Sequence, residues 1–156
     1  MKLEVLTSES FADYGYLLNG TKQEPDADTP SYTYYADIVK FHMDGGITAG
    51  VLEGKKREIE LTCMERHKQT PEILIAIQAD TVLFVGLSNN HTSEITGIKA
   101  FLFKERDVIM MKEGTWHWVP FPTNMEKSIT QVIYKNDTGK NDYQLETIAE
   151  PIRLDE

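Results

Sequence analysis

Glu65, His67 and Glu72 lie close together in "CMERHKQTPE" (63–72), and His117 follows in "KEGTWHWVPFP" (112–122). Imidazole nitrogen and carboxylate oxygen together suit divalent transition ions, and a site with few protein ligands keeps positions open for water or substrate. A competing reading makes Glu65 and His67 a salt-bridged strand end, with Arg66 and Lys68 as partners, and Glu72 a solvated turn residue. What decides between the two is where the backbone points these side chains.

Apolar residues recur with a period of two in "REIELTCME" (57–65) and "SITQVIY" (128–134), the signature of half-buried strands. Further strands are expected at Tyr32 to His42, Ile47 to Leu52, Ile73 to Gln78, Thr81 to Leu87, Ile98 to Phe103 and Val108 to Lys112. Turn chemistry separates them at "MDGG" (43–46), "GLSNNHTSEITG" (86–97), "EGT" (113–115) and "NDTGKND" (136–142). Ser8 or Ser10 is placed to cap a short N-terminal helix over Phe11 to Tyr14, ended by Gly15. "TKQEPDADTP" (21–30) reads as an exposed loop. Many short strands and almost no helix predict an all-β antiparallel barrel of the jelly-roll kind.

In such a barrel Ile59, Leu61, Cys63, Glu65 and His67 share one strand face, and Glu58, Glu60, Thr62, Met64 and Arg66 share the other. The first face is apolar until Glu65, so Glu65 and His67 are expected inward, near the strand's end. Glu72 follows after the rigid Pro71 turn. By the same alternation His117 faces opposite to Trp116 and Trp118. Cys63 is expected to act as a small buried hydrophobe, and neither His42 nor His91 is assigned a role.

The chain has 156 residues, enough for one core, and is expected to form a single domain over 1–156. A net charge of -9, from 25 acidic against 16 basic residues, disfavours nucleic acid and anionic lipid as partners, because such a surface repels phosphate. The lone Cys63 suits a reducing compartment, and "MKLEVLTSESFADYG" lacks the apolar run of a signal peptide, so a cytoplasmic location is expected.

Glu65-x-His67-x4-Glu72 resembles the first metal-binding motif of the cupins, H-x-H-x(3,4)-E, with Glu for the first His. Lys112-x-Gly114-x2-His117 resembles the second, P-x-G-x2-H, with Lys for Pro. Within the cupins the chain resembles the ureidoglycolate lyases of allantoin catabolism, a branch of purine metabolism. "FADYG" (11–15) is like their F-x-x-Y-G, "MERH" (64–67) like L-E-R-H, and "TWHWVPF" (115–121) like V-W-H-H-P. Glu72 stands where that family tends to carry Gln, Trp118 where it has a second His, and Lys112 where an upstream His falls.

The resemblance implies a cupin-like barrel, paired as a homodimer, that cleaves ureidoglycolate to glyoxylate and urea. It implies a divalent transition metal (nickel, manganese, zinc or iron) held by Glu65, His67, Glu72 and His117, and a small α-hydroxy acid derivative as substrate. Glu72 is the candidate general base if it is not a ligand, with a pKa expected to rise in an apolar barrel. Lys112 is the candidate partner of a substrate carboxylate. Two alternatives stay open: a different metal-dependent cupin enzyme, such as a sugar or keto-acid isomerase, and a non-enzymatic module that binds a small metabolite.

Overall fold

The structure is a computed structural model that describes residues 1–19, 24–89 and 94–155; His91 lies outside them. The strands are β1 (Leu3–Val5), β2 (Gly15–Leu17), β3 (Ala27–Asp28), β4 (Thr33–Tyr34), β5 (Ile47–Lys55), β6 (Glu60–Arg66) and β7 (Glu72–Gln78). They continue with β8 (Thr81–Ser88), β9 (Ile95–Phe103), β10 (Val108–Met111), β11 (Trp116–His117), β12 (Phe121–Pro122) and β13 (Lys127–Lys135). One helical turn, α1 (Thr138–Asn141), precedes β14 (Gln144–Arg153).

One sheet runs β1-β9-β8-β11-β6-β14, with β12 added against β8; the facing sheet runs β2-β10-β7-β13-β5. Among the described residues every ladder is antiparallel except β1 on β9, where Leu3 pairs with Ala100 in parallel register. Leu83, Val85, Phe101 and Phe103 from the first sheet meet Leu74, Ala76, Ile109, Met111 and Val132 from the second, and this shared core fills the barrel interior. Val82, Phe84, Ala100 and Trp116 pack instead with Leu61, Met64 and Phe121 in a second cluster. Strand β8 therefore feeds both clusters and is almost wholly buried, which is why its sequence "TVLFVGLS" reads as a continuous apolar run rather than an alternation. No helix among the described residues is long and apolar enough to cross a membrane.

Three expectations are corrected and one strand is added. The short N-terminal helix is replaced by consecutive turns, in which Phe11 N–H bonds to the Thr7 carbonyl at 3.1 Å and Gly15 N–H to the Phe11 carbonyl at 3.0 Å. Helix cannot continue because Gly15 enters β2 against β10, where a Cβ would overlap the Met110 carbonyl oxygen. The strand expected from Tyr32 to His42 shrinks to Thr33–Tyr34, which makes a small hairpin with β3. Its backbone is satisfied locally: Asp26 accepts from Ala36 N–H at 2.7 Å, and Thr29 Oγ1 accepts from Tyr32 N–H at 3.1 Å. Tyr32, Tyr34, Tyr35 and Phe41 remain exposed.

Along β6, Leu61 does not share the face of Glu65; it joins Met64 in the second cluster, so strict alternation fails between them. Strand β14 escaped the sequence reading because Pro151 interrupts "QLETIAEPIR". An edge position tolerates proline, and the ladder to β6 shifts register between Thr147 and Ile152 to absorb it.

Replacing Gly15 by Ala should force the β2–β10 ladder apart. Urea unfolding of Gly15→Ala is expected to show a loss of about 1–3 kcal/mol, the usual cost of overpacking; an unchanged midpoint would contradict the close approach.

Candidate metal centre

Three segments far apart in sequence deliver the site. Strand β6 ends at Arg66, so Glu65 is on the ladder and His67 opens the connection to β7, which Glu72 begins. His117 pairs with Glu65 on one side and with Val85 on the other. Val85 is an interior core residue, so its cross-strand neighbours on that face, His117 and Glu65, also look inward. Gly114, at φ 78°, makes the turn before β11, and its N–H donates to the His67 carbonyl at 2.6 Å. A residue with a Cβ would be strained in that left-handed turn. Ser88 Oγ donates to the Gly114 carbonyl at 2.6 Å, and Thr115 Oγ1 to the Tyr14 carbonyl at 2.9 Å.

Glu65, His67 and His117 each offer a ligand atom, all within 4.8 Å of one another. Glu72 stands against them, its Oε2 3.2 Å from His117 Nε2 and 3.4 Å from His67 Nε2; Glu65 Oε1 lies 3.6 Å from His117 Nε2. Both imidazoles are turned by backbone carbonyls: His67 Nδ1 lies 2.7 Å from the Asp142 oxygen and His117 Nδ1 3.0 Å from the Thr115 oxygen. A carbonyl only accepts, so each Nδ1 carries the proton, and the lone pair of each neutral ring sits on Nε2. Those lone pairs face carboxylates. Glu72 Oε2 and His117 Nε2 are buried and, although 3.2 Å apart, are not aligned for a hydrogen bond.

Such a cluster is satisfied by a proton or by a cation. Burial opposes charge on His117, but Glu72 and Glu65 outweigh it and raise its pKa from 6.5 to about 9. Burial likewise pushes Glu72 up, yet the imidazole of His117, helped by His67, brings it below its ordinary value. The expected rise of Glu72 toward neutrality is thus reversed. Two acids and two imidazoles with an Nε2 lone pair turned into the cluster also match the donor set of a first-row divalent ion, and the carbonyl bonds at Nδ1 are the usual outer support of a ligating histidine.

A cleft of about 270 Å³ opens over the cluster. Leu52, Leu74, Val119, Pro120 and Val132 form much of its wall; Tyr134, Thr138 and Tyr143 add hydroxyl groups. The Tyr143 phenol is pushed up by burial and by the Glu65 carboxylate, and its ring centroid lies 6.2 Å from that of His67. Sequence reading overlooked Tyr134, Thr138 and Tyr143. Only the parity of Tyr134 with Val132 in "SITQVIY" carried a signal, since the other two sit in a turn-rich segment without periodicity.

Other residues take different places. Lys112 is exposed; its ammonium donates to the Ala12 carbonyl at 2.5 Å, lies 5.4 Å from the centre of the Tyr16 ring and is not among the residues that line the cleft. Arg66 points to the opposite face, 4.5 Å over the Trp116 ring, so "ERH" divides between the two sides of the sheet. Burial raises the Cys63 thiol, with Glu65 adding and Thr62 opposing, which leaves it a poor nucleophile. His42 is exposed and paired with Asp44 at 2.8 Å.

Two facing, mostly antiparallel sheets around an apolar interior, with imidazoles and carboxylates converging at one end, define an all-β barrel-like protein with a candidate metal centre. The profile described as Ureidoglycolate lyase matches residues 1–155, and the chain belongs to that family. Among solved structures it is similar to procruciferin, an 11S globulin from Brassica napus, at 14% identity and a TM-score of 0.40. That match covers 65% of this chain and 23% of the globulin, so the chain spans less than a quarter of that protein. Comparison with curated proteins gave no match.

The raised His117 pKa sets a pH dependence. A raised imidazole contributes stability that is complete below 6.5 and is lost as pH climbs through about 9; the lowered Glu72 contributes above its ordinary 4.5 and loses that contribution as pH falls through its lowered value. The melting temperature of the apoprotein should therefore fall between pH 6.5 and 10, and the fall should be absent in His117→Gln. Cobalt(II) affinity should rise over the same range, because the ion displaces the imidazolium proton. Titration calorimetry in buffers of different ionisation enthalpy reads that proton.

Proposed function

We propose that the protein, folding as a single domain over 1–156, is a metal-assisted lyase that splits ureidoglycolate, or a closely related α-hydroxy acid derivative, into glyoxylate and urea. The observation that carries the reading is the pair of imidazoles whose Nδ1 atoms donate to backbone carbonyls while both Nε2 atoms face acid side chains. Membership of the ureidoglycolate lyase family supports the substrate.

Glu65, His67 and His117 would hold the ion, since their donor atoms group together. A bound nickel, manganese, zinc or iron ion supplies Lewis acidity, lowering the pKa of the substrate hydroxyl and offsetting its carboxylate. Glu72 remains for proton transfer. Its lowered pKa keeps it ionised at neutral pH, ready to take the hydroxyl proton as the carbinol C–N bond breaks. The O–H electron pair forms the second C–O bond of the glyoxylate carbonyl, the C–N electrons leave on urea nitrogen, and that nitrogen takes up the proton that Glu72 received. Leu52, Leu74 and Val132 keep bulk water from the scissile bond, while the Tyr134 and Tyr143 hydroxyls line the space for the polar urea end.

A second reading, a cupin isomerase acting on a neutral sugar, draws on the cavity wall: none of the described residues that line it is Lys or Arg. A cytoplasmic homodimer completes the proposal. Strand β5 ends the second sheet with Ile47 and Val51 exposed, an edge suited to a second copy.

Glyoxylate release from ureidoglycolate by metal-loaded protein tests the reading. His67→Ala and His117→Ala should bind the metal more weakly, still measurably, and lose activity. Glu72→Gln should retain metal and lose about 10²- to 10⁴-fold in kcat, the range for a general base. Full activity in Glu72→Gln would remove the proton-transfer role. A metal-loaded enzyme that ignores ureidoglycolate and interconverts an aldose and ketose would establish the second reading.

A further inference from the structure

Asp142 lies outside the group of converging donor atoms, yet it touches the connection that carries His67 at three points. Its backbone carbonyl accepts from His67 Nδ1 at 2.7 Å. Its carboxylate accepts from Lys68 N–H at 2.8 Å through Oδ1 and from Gln69 N–H at 2.7 Å through Oδ2. The N–H of Asp142 donates in turn to the Thr138 carbonyl at 2.9 Å, which closes α1. One residue thus takes two backbone donors that the turn after β6 would otherwise leave to water, and with the same anchoring presents the acceptor that fixes which nitrogen of His67 is protonated.

The ladder beside it makes this clamp rigid. Gln144 pairs with Arg66, and its Oε1 accepts from Arg66 Nε at 2.9 Å and Nη2 at 2.8 Å. Arg66 Nη1 also donates to Ser88 Oγ at 2.7 Å. Farther along the same connection, Thr70 Oγ1 accepts from Lys135 N–H at 3.1 Å. The His67-to-Glu72 connection is therefore pinned near its start by Asp142 and near its end by β13, and Tyr143, next to Asp142 in sequence, lines the cleft.

We infer that Asp142 is a positioning residue for His67: its carboxylate locks the 67–69 backbone so that its own carbonyl holds the imidazole as the Nδ1–H tautomer, with Nε2 aimed at Glu65, Glu72 and His117. The proposal rests on His67 being a metal ligand, and it adds that the ligand is set from the C-terminal segment rather than from β6. A substitution at 142 leaves a carbonyl in the chain; what it removes is the anchor that keeps that carbonyl in place.

The experiment compares wild type, Asp142→Asn, Asp142→Ala, His67→Ala and the double variant His67→Ala/Asp142→Ala. Each is loaded with cobalt(II) in competition with a chelator, and the ¹⁵N shifts of the His67 ring are recorded on the apoproteins. Asp142→Ala should weaken cobalt binding at least about tenfold, as outer-sphere supports of a ligating histidine do. Asp142→Asn, which keeps one acceptor oxygen, should lose less. The double variant should bind no more weakly than His67→Ala alone, since a residue that acts through His67 has nothing left to act on. In Asp142→Ala the ring should shift from Nδ1–H toward a mixture of tautomers.

Wild-type affinity with an unchanged His67 tautomer in Asp142→Ala would overturn the inference, and so would penalties that add in the double variant. If Asp142→Ala does not fold, Asp142→Asn is read by the same two measurements. Wild type that takes up no cobalt would sink the metal reading by itself; the His67 tautomer then decides the positioning role, its loss in the variants supporting it and its persistence overturning it.

Discussion

Two residues hold the seven-stranded sheet together at its centre. Trp116 and His117 form a strand so short that it spans one ladder step on β6 and two on β8, yet it is the only link between the β1-β9-β8 half of the path and the β6-β14 half among the described residues. The two side chains divide the work by alternation. Trp116 is fully buried in the second cluster, with the Arg66 guanidinium over its ring, while His117 turns inward to the acid cluster. Sheet continuity and site assembly are therefore one event.

The electrostatics follow from that geometry. A barrel interior resists unpaired charge, and this one holds Glu72 and His117 nearly without solvent contact. Each makes the other tolerable: the carboxylates carry the imidazole's pKa to about 9 against burial, and the imidazole keeps Glu72 ionised against the same burial. Such a pair exchanges a proton for a cation at modest electrostatic cost, because the negative groups are already in place. Glu65, where the motif it resembles has a histidine, strengthens this, giving the cluster two carboxylates and two imidazoles where one carboxylate and three imidazoles would carry less negative charge.

Much of this was legible in the sequence, and the exceptions have physical reasons. The strands β7, β8, β10 and β13 match their expected ranges within a residue or two because each has an apolar face to bury. Glu65, His67, Glu72 and His117 converge as the two motif-like stretches implied, and that convergence depends on strand parity, which a sequence displays. Lys112 did not follow: the cupin-like spacing marks its position on the turn, but its side chain finds the Ala12 carbonyl outside the cleft. Asp142 and Tyr143 were invisible for a different reason. They act from a non-periodic connection whose closeness to His67 exists only once β14 has paired with β6. Leu61 shows the limit of parity itself, since one irregularity along β6 moved it to the other cluster.

Strand β5 finds its ladder partner late. Ile47 pairs with Lys135 and Lys55 with Lys127, so all nine residues of the strand wait for a segment synthesised after most of the barrel. Until then both edges of β5 are open, and the interior wall containing Val132 and Tyr134 is missing from the cleft. Loop closure over such distances slows folding, and an exposed, β-rich edge invites association with other chains in the meantime. For this protein the vulnerable interval is thus set by chain order: growth conditions that slow elongation through residues 127–135 should lengthen the lifetime of an open-edged intermediate without altering the finished fold.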